Sequence, residues 1–298
     1  MQKVVCFTTK LDEFGEYVFD KTYFPDNQSP SEYLESNNGL YSKILSVIDG
    51  GTTYIIYGVG DFTEGQKSIP INGLIWMGEE AFMKEQIEEK LAAGFRCVKL
   101  KIGAIDFEKE LQLLRFIRTN FTSEEVEIRV DANGAFDKNK ALDKLIQLSE
   151  FELHSIEQPI EKNNTDRMSE LCKTAPFPIA LDEELIGVFS LAEKEALLRK
   201  IKPQYIILKP SFVGGFRGTQ EWISLAEKHQ IGWWITSALE SNIGLNAIAQ
   251  WTFLHNNQMP QGLGTGALYT NNFDCPLTVD QGQLWYKPEL PWVEINFE

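Results

Sequence analysis

Residues 96–134 decide the fold and read RCVKLKIGAIDFEKELQLLRFIRTNFTSEEVEIRVDANG. A run rich in β-branched residues, 96–102, precedes a helix pattern whose apolar face carries Phe107, Leu111 and Leu114. A second strand-like run, 126–132, follows, and both runs end in polar residues. A strand, a helix and a strand in this order predict a parallel βαβ unit.

The same unit recurs from about residue 71 onward and predicts a closed (β/α) barrel. Eight strand-like runs share this pattern, at 71–76, 96–102, 126–132, 153–158, 178–183, 204–210, 231–237 and 260–264. Eight units in ~230 residues fit the size of a barrel, whereas a doubly wound open sheet would not usually hold eight such uniform units. Between the runs, helix patterns are spaced like Met83, Ile87 and Leu91. Another helix is predicted within 135–150, with Asp137 as its N-cap.

The residues outside the repeat predict two flanking parts. Residues 1–70 carry aromatic strand-like pieces, VVCFTT, EYVFDKTYF and TTYIIYGVG, and predict an abbreviated α+β capping module. We therefore expect the barrel domain at 71–272 and a C-terminal tail at 273–298 that packs back on the cap.

Composition limits the partners that the chain can have. A formal net charge of -15 argues against nucleic acid and anionic membrane surfaces, because both repel an acidic protein. No basic leader with an apolar core and no apolar run of about 20 residues is evident. The cysteines Cys6, Cys97, Cys172 and Cys275 are scattered, which predicts free thiols and a cytoplasmic protein. We expect a small-molecule carboxylate partner, and the sequence is compatible with a homo-oligomer.

Charged residues stand at the ends of five consecutive predicted strands, where a barrel of this type holds its active site. In chain order these are Lys99 with Lys101, Asp131, Glu157, Asp182 and Lys209. Any one of them could be a solvated group on the rim, but six in phase on neighbouring strands, about 4.8 Å apart, predict one site. Three adjacent carboxylates need a cation, and oxygen ligands alone favour Mg²⁺. A lysine close to a metal and to another lysine can have a lowered pKa, which would suit proton abstraction.

The motifs at these strand ends identify a family resemblance. Seven motifs resemble those of the enolase superfamily, in the branch of muconate-lactonising-type enzymes. In chain order they are VKLKIG, RVDANGAF, IEQP, LDEE, ILKPS, SALESNIGL and GLGTG. The resemblance covers about Pro70 to Asn272 and implies the modified (β/α)7β barrel with an N-terminal cap. Within that branch, the motifs are most similar to those of the dehydratases that form 2-succinylbenzoate for menaquinone biosynthesis.

The resemblance assigns roles to the six charged residues. It implies that Asp131, Glu157 and Asp182 are the Mg²⁺ ligands and that Lys101 is the general base of a syn elimination of water. Lys209 would stabilise developing charge from the opposite face, and Lys99 would orient the base and the substrate carboxylate.

The resemblance further implies a set of substrate-binding residues. Ser237, Gly264 and Gly266 correspond to contacts with the succinyl side chain, and Arg129 would support the metal cluster or Lys101 and is grouped with them. For the two glycines, turn chemistry is an alternative of nearly equal weight.

Two alternative functions remain open on the same residues. N-acylamino acid racemisation or dipeptide epimerisation would use Lys101 and Lys209 as opposed acid/base groups. A catalytically silent metal-binding scaffold is disfavoured, because all the expected ligands and both lysines are present.

Overall fold

A computed structural model describes four N-terminal strands, 9–11, 17–19, 44–49 and 52–57, and the continuous segment 60–292. Strands β1 (Thr9–Leu11) and β2 (Tyr17–Phe19) form one antiparallel pair, and β3 (Ile44–Asp49) and β4 (Thr52–Tyr57) form another. The predicted strand VVCFTT and Cys6 lie outside the described residues, apart from Thr9, with which β1 begins.

Seven parallel strands form the main sheet, and each lies within a run predicted from the sequence. They are hydrogen-bonded in chain order. Their bounds are β6 Gly73–Ile75, β7 Cys97–Lys101, β8 Glu127–Asp131, β9 Ser155–Glu157, β10 Ile179–Leu181, β11 Tyr205–Leu208 and β12 Gly232–Ile235.

The eighth predicted run closes the sheet without forming a full strand. Gln261 bridges Ile71 and Gly262 bridges Thr236, both in parallel, so the segment lies between the first and last strands. The side chain of Gln261 is fully buried, and its Oε1 accepts a hydrogen bond from the backbone N–H of Ile235 at 2.7 Å. The predicted (β/α) barrel is confirmed. We call residues 260–265, which occupy its eighth position, the seam.

Helices follow the strands in the order that the sequence predicts. Their bounds are α1 Gly60–Thr63, α2 Glu80–Ala92, α3 Phe107–Asn120, α4 Ala141–Leu148, α5 Thr165–Thr174, α6 Leu191–Ile201, α7 Gly215–Lys228 and α8 Asn242–Leu254. The predicted N-cap at Asp137 is wrong. Helix α4 starts four residues later, and the Asp137 carboxylate accepts from the N–H of Asn139 in the preceding turn.

Apolar side chains fill two layers of the barrel. Most of the core lies between strands and helices, while Ala180, Ile207 and Trp234 form a separate cluster inside the barrel. Trp233 and Trp234 point to opposite faces of β12, as period-two alternation requires. Trp233 contacts His255 on the outer side, and Trp234 belongs to the interior cluster.

The C-terminal segment adds a small antiparallel sheet. Strands β13 (Leu277–Asp280) and β14 (Gln283–Tyr286) form a hairpin, and β14 pairs with β5 (Ile69–Pro70), which immediately precedes the barrel. The domain bounds 1–70, 71–272 and 273–298 stay a prediction.

Over the described residues, no helix is both long and apolar enough to cross a membrane.

Candidate active site

The ends of strands β7 to β11 bring the six predicted charged residues together. Lys101, Asp131 and Glu157 are directly paired across β7, β8 and β9 in the sheet register. Asp182 and Lys209 each lie one residue beyond the last residue of β10 and β11. Because β7 and β11 are four positions apart in a ring of eight strand segments, Lys101 and Lys209 approach the centre from opposite sides.

The three carboxylates lie beneath the lysines and are almost completely buried, with Asp131 at 0%, Glu157 at 2% and Asp182 at 2% exposure. Burying ionised carboxylates is costly unless positive charge accompanies them. The lysines supply that charge in this structure. Their ammonium groups pair with the carboxylates.

Each carboxylate is in contact with at least one lysine. Lys99 Nζ lies 3.0 Å from Asp131 Oδ2 and also pairs with Glu157. Lys101 Nζ lies 2.7 Å from the same Asp131 oxygen, and Lys209 pairs with Asp182. Asp131 therefore shares two cations, while Glu157 and Asp182 have one each.

The pKa values of two of the carboxylates shift in opposite directions, so the lysines do not compensate the negative charges evenly. Burial and then the charges of Asp131 and Asp182 raise the pKa of Glu157 well above its usual range, although Lys99 and Lys209 oppose the rise. Burial also acts to raise the pKa of Asp131, but Lys99 and Lys101 lower it far below the ordinary value. The charge of the lysines therefore outweighs burial at Asp131 but not at Glu157.

The carboxylates act strongly on the pKa of two of the lysines. Burial lowers the pKa of the Lys99 and Lys209 amines, but the neighbouring carboxylates outweigh it. Asp131 and Glu157 raise the pKa of Lys99, and Asp182 and Glu157 raise that of Lys209. The lowered pKa expected of a lysine beside a metal ion stays a prediction.

The donor chemistry of the cluster fits a hard divalent cation. Within 60–292 and the four strands before it, no three His, Cys, Asp or Glu side chains are arranged to hold a metal ion as they stand. The buried Glu157 Oε1, however, has no hydrogen-bond partner. Three carboxylates, one with an open oxygen, are the ligand type that Mg²⁺ prefers. Asp131, Glu157 and Asp182 are the residues that would hold it.

A short polar chain contacts Lys101 and was missed by sequence reasoning. Lys101 Nζ donates to Asn133 Oδ1 at 2.7 Å, and Asn133 Nδ2 donates to Glu183 Oε1 at 2.8 Å. The sequence placed Asn133 in the RVDANGAF motif but gave no sign that its amide would reach back to β7. Its left-handed backbone, φ 43°, makes that contact possible.

A cavity of about 290 Å³ opens above the lysines. It is lined by two groups of residues, from the strand ends and from the seam with its neighbours: Asn72, Leu74, Trp76, Lys99, Lys101, Lys209, Phe212, Thr236, Ser237, Ala238, Leu239, Gly262, Gly264 and Thr265. The volume suits a small ligand of one ring with a short side chain. The buried Asn72 Oδ1 has no hydrogen-bond partner and is a polar group at this cavity that sequence reasoning missed.

Two of the four predicted substrate-binding residues line this cavity. The Ser237 hydroxyl forms a 2.6 Å hydrogen bond with that of Thr265, which fixes both groups at the wall. Gly264 packs so close to Ile71 that an added Cβ would lie 3.1 Å from its Cδ1. The absence of a side chain at Gly264 therefore helps keep the cavity open.

Arg129 and Gly266 do not line the cavity. Arg129 is 1% exposed and points to the N-terminal end of the barrel. Its Nε donates to Glu127 at 2.7 Å and its Nη1 donates to the carbonyl of Pro260 at 2.8 Å. Gly266 packs against α8, where a Cβ would lie 2.6 Å from Asn242 Oδ1. The geometry does not support a substrate contact by the side chain of Arg129 or by Gly266, and their substrate-binding assignment stays a prediction.

Two further glutamates near the site, Glu184 and Glu240, have structural partners. Glu184 is buried and accepts from the N–H of Asn163. Glu240 accepts from the N–H of Ala238 and pairs with the Ser211 hydroxyl, so it holds the loop that follows β12.

Comparison with known proteins agrees with this geometry. Residues 82–290 match the family described as Enolase C-terminal domain-like. The chain belongs to this family, and its lysine and carboxylate positions lie on the family's barrel.

Individual relatives narrow the comparison. The chain is 58% identical over 245 residues to the o-succinylbenzoate synthase of Desulfotalea psychrophila, covering 82% of this chain and 66% of that protein. It also superposes on the crystal structure of MenC from D. psychrophila LSv54 with a TM-score of 0.71 and 59% identity, covering 76% of this chain and 62% of that one. An N-succinylamino acid racemase from Amycolatopsis sp. is 27% identical over 195 residues, or 65% of this chain and 51% of the racemase. The chain thus spans just under two thirds of the D. psychrophila protein and about half of the racemase.

Proposed function

We propose that the protein is an o-succinylbenzoate synthase, a carbon–oxygen lyase of the enolase superfamily. It would dehydrate 2-succinyl-6-hydroxy-2,4-cyclohexadiene-1-carboxylate to 2-succinylbenzoate, a step in menaquinone biosynthesis, with the cytoplasm as its compartment. The observation that carries the proposal is the ordered set of Lys101, Asp131, Glu157, Asp182 and Lys209 on five adjacent strand ends below one cavity. The 58% identity to the D. psychrophila synthase supports this choice among the reactions that such a site can perform.

The charges of the site suit an anionic substrate. With Lys101 neutral, as a general base must be, Lys99, Lys209 and a bound Mg²⁺ would carry four positive charges against the three negative charges of the carboxylates. The proposed substrate carries two carboxylates, one on the ring and one on the succinyl chain. The one remaining positive charge would favour binding of the ring carboxylate inside the buried site.

The protein's own groups can perform the proton transfers. Lys101, which borders the cavity, would remove the proton α to the ring carboxylate and then return a proton to the departing hydroxyl on the same face. Water leaves and the ring becomes aromatic. Bound by Asp131, Glu157 and Asp182, Mg²⁺ would supply Lewis-acid stabilisation of the negative charge that develops on the substrate carboxylate.

Lys209 and Lys99 would act by position and charge. Lys209 faces the cavity from the side opposite Lys101 and would stabilise the developing negative charge on the other face of the ring. Lys99, in contact with Asp131 and Glu157, would orient the base and the substrate carboxylate. Ser237 and Gly264 line the part of the cavity available to the succinyl chain.

A second candidate function rests on the same two opposed lysines. Racemisation of N-acylamino acids or epimerisation of dipeptides needs an acid/base group on each face of the α-carbon, and Lys101 and Lys209 meet that need. The 27% identity to an N-succinylamino acid racemase is the observation that keeps this candidate. A silent metal-binding scaffold would not need lysines at a cavity.

The test is ultraviolet detection of 2-succinylbenzoate from the freshly generated diene carboxylate, with Mg²⁺, with EDTA, and with Lys101→Ala. Rapid aromatisation that needs Mg²⁺ and is lost in the variant supports the synthase and its base together. Racemisation of N-succinylamino acids without aromatisation would favour the second candidate function. Turnover of neither substrate would contradict both.

A further inference from the structure

Gln158 immediately follows the carboxylate of Glu157 and has no part in the chemistry proposed above. It is 0% exposed, and its backbone has a left-handed φ of 38°. A residue with a side chain rarely adopts this conformation, and where one does the surrounding contacts must hold it there. Those contacts are what give Gln158 its significance.

The backbone of Gln158 leaves the regular parallel ladder at this residue. Its N–H still donates to the carbonyl of Ala180 at 2.9 Å, in register with β10. In a continuing ladder its carbonyl would next accept from the N–H of Asp182. That carbonyl instead accepts from the N–H of Gly134 at 2.7 Å, on the loop that follows β8.

The side chain of Gln158 takes over the missing ladder bond. Its Oε1 accepts from the backbone N–H groups of Asp182 and Glu184, both at 3.3 Å. Its Nε2 donates to the carbonyl of Ile160 at 3.1 Å and to Glu184 Oε2 at 3.3 Å. The amide therefore satisfies two donors and two acceptors in a fully buried position.

These bonds connect the segments that carry all three carboxylates. Glu157 is the preceding residue, Asp182 is held through its own N–H, and Gly134 lies three residues after Asp131. We propose that Gln158 is a positioning residue that sets the relative spacing of Asp131, Glu157 and Asp182 for a divalent cation. This inference rests on the proposed function, since it takes these three residues as the ligands.

No other residue type of similar size satisfies this set of bonds. Asparagine is one methylene shorter and cannot place its amide at the same point. Glutamate keeps the acceptor but loses both donors and adds a charge beside Glu184, and methionine removes all four hydrogen bonds.

Strand β10, which ends just before Asp182, offers a matched control at its other end. Gln204 also uses its amide to bridge two backbone groups, accepting from the N–H of Ile179 at 3.0 Å and donating to the carbonyl of Cys172 at 3.0 Å. Ile179 begins β10, whereas Asp182 follows its end. Gln204→Met therefore removes a comparable pair of bonds from the same strand, but away from the carboxylates.

The experiment is calorimetric titration of MgCl₂ into the full chain after EDTA treatment and desalting. It compares wild type, Gln158→Met, Gln158→Asn, Gln204→Met and Asp182→Asn, with folding checked by circular dichroism. We expect both Gln158 variants to bind Mg²⁺ about 10-fold or more weakly than wild type, the effect typical of residues that orient metal ligands. Gln204→Met should bind like wild type despite a similar loss of thermal stability. Gln158→Asn, which keeps a polar group, carries the test if the methionine variant does not fold.

The outcomes separate this inference from the proposed function. Equal Mg²⁺ affinity in wild type and a folded Gln158 variant overturns the positioning role alone. Equal weakening in Gln204→Met also overturns it, because the effect would then be general destabilisation. No Mg²⁺ binding by wild type, or unchanged binding by Asp182→Asn, overturns the proposed metal site and this inference with it.

Discussion

The two ends of the barrel interior handle buried charge in opposite ways, although strand β8 contributes to both. At the N-terminal end, Arg129 pairs with Glu127 of the same strand, and its guanidinium lies 4.2 Å above the ring of Trp234. At the C-terminal end, Asp131 of that strand shares Lys99 and Lys101, and the adjacent Glu157 has an oxygen without a hydrogen-bond partner. The apolar side chains of Ala180, Ile207 and Trp234 lie in the interior with them.

This difference separates stability from chemistry within one set of strands. The pair at the N-terminal end matches one cation to one anion and is supported by an aromatic ring, and of the Arg129 nitrogens Nη2 is buried without a hydrogen-bond partner. The cluster at the C-terminal end has shared partners and an incompletely satisfied carboxylate, so a cation can rearrange it. Substitutions at the two ends should therefore affect different measurements.

The largest expected effect is loss of turnover at the C-terminal end. Lys101→Ala should lower the rate of aromatisation by about 10³-fold, because a positioned general base contributes roughly 10²–10⁴-fold. The measurement is the steady-state rate by ultraviolet absorbance, with thermal unfolding as a control. Wild-type turnover in the folded variant would remove Lys101 from the role of base.

Lys209→Ala should have a smaller effect on the same reaction. In the proposed reaction Lys209 would stabilise charge rather than move the proton, so we expect turnover to fall by about 10²-fold, the lower end of the effect of removing such a group. A racemase or epimerase needs both lysines equally. Equal and nearly complete loss in Lys101→Ala and Lys209→Ala, measured with N-succinylamino acids, would favour that second function.

Arg129→Met should change stability rather than activity. Removing one partner of a buried ion pair typically costs 3–5 kcal/mol, and the partly exposed Glu127 places this case near the lower end, at about 3 kcal/mol. Urea unfolding measures the change, and Mg²⁺ affinity should stay close to that of wild type. A fold that is equally stable but binds Mg²⁺ poorly would show that the two ends are coupled.

The smallest effect concerns pH at the N-terminal end. Burial lowers the pKa of His154, helped by Arg129 and opposed by Glu127. Because the folded-state pKa lies below the unfolded value, the unfolded chain binds more protons. Stability from this group is therefore present above the usual histidine pKa and is lost as the pH falls toward the folded value.

His154→Phe provides the matched comparison for that pH effect. Phenylalanine can keep the contact with Tyr205, whose ring centroid lies 4.8 Å from that of His154, but cannot titrate. Between pH 7.5 and 5.5 the melting temperature of wild type should fall more than that of the variant, by roughly 2 °C. Parallel melting curves for the two proteins would contradict a histidine that is held neutral.

Local patterns in the sequence predicted most of the fold and the charged cluster. In strand runs such as 96–102 and 126–132, the alternation of side chains and the polar ends depend only on neighbouring residues. Alternation also places Arg129 and Asp131 on the same face of β8, but it cannot tell which way along the barrel axis a long side chain turns. Arg129 follows the attraction of Glu127 and Trp234 to the other end.

The remaining features depend on contacts between distant residues. Gln158 stands in the predicted IEQP motif, yet its bonds to Asp182 and Glu184 require a backbone conformation that the motif does not reveal. Gly266 was placed at the substrate by analogy, whereas packing against α8 occupies its space. The apolar cavity residues Phe212 and Leu239 follow strands but have no periodic signal of their own.

The seam at 260–265 has a consequence for how such an enzyme can diverge. Strands β7 to β11 carry the proposed acid/base and ligand groups and are held by regular ladders, whereas the seam joins its neighbours through bridges at Gln261 and Gly262. Gly264 and Thr265 belong to the seam and line the cavity. Substitutions in the seam can change which substrate fits the cavity and leave the charged residues on β7 to β11 unaltered. New substrates can then be acquired without a change in the proposed catalytic groups.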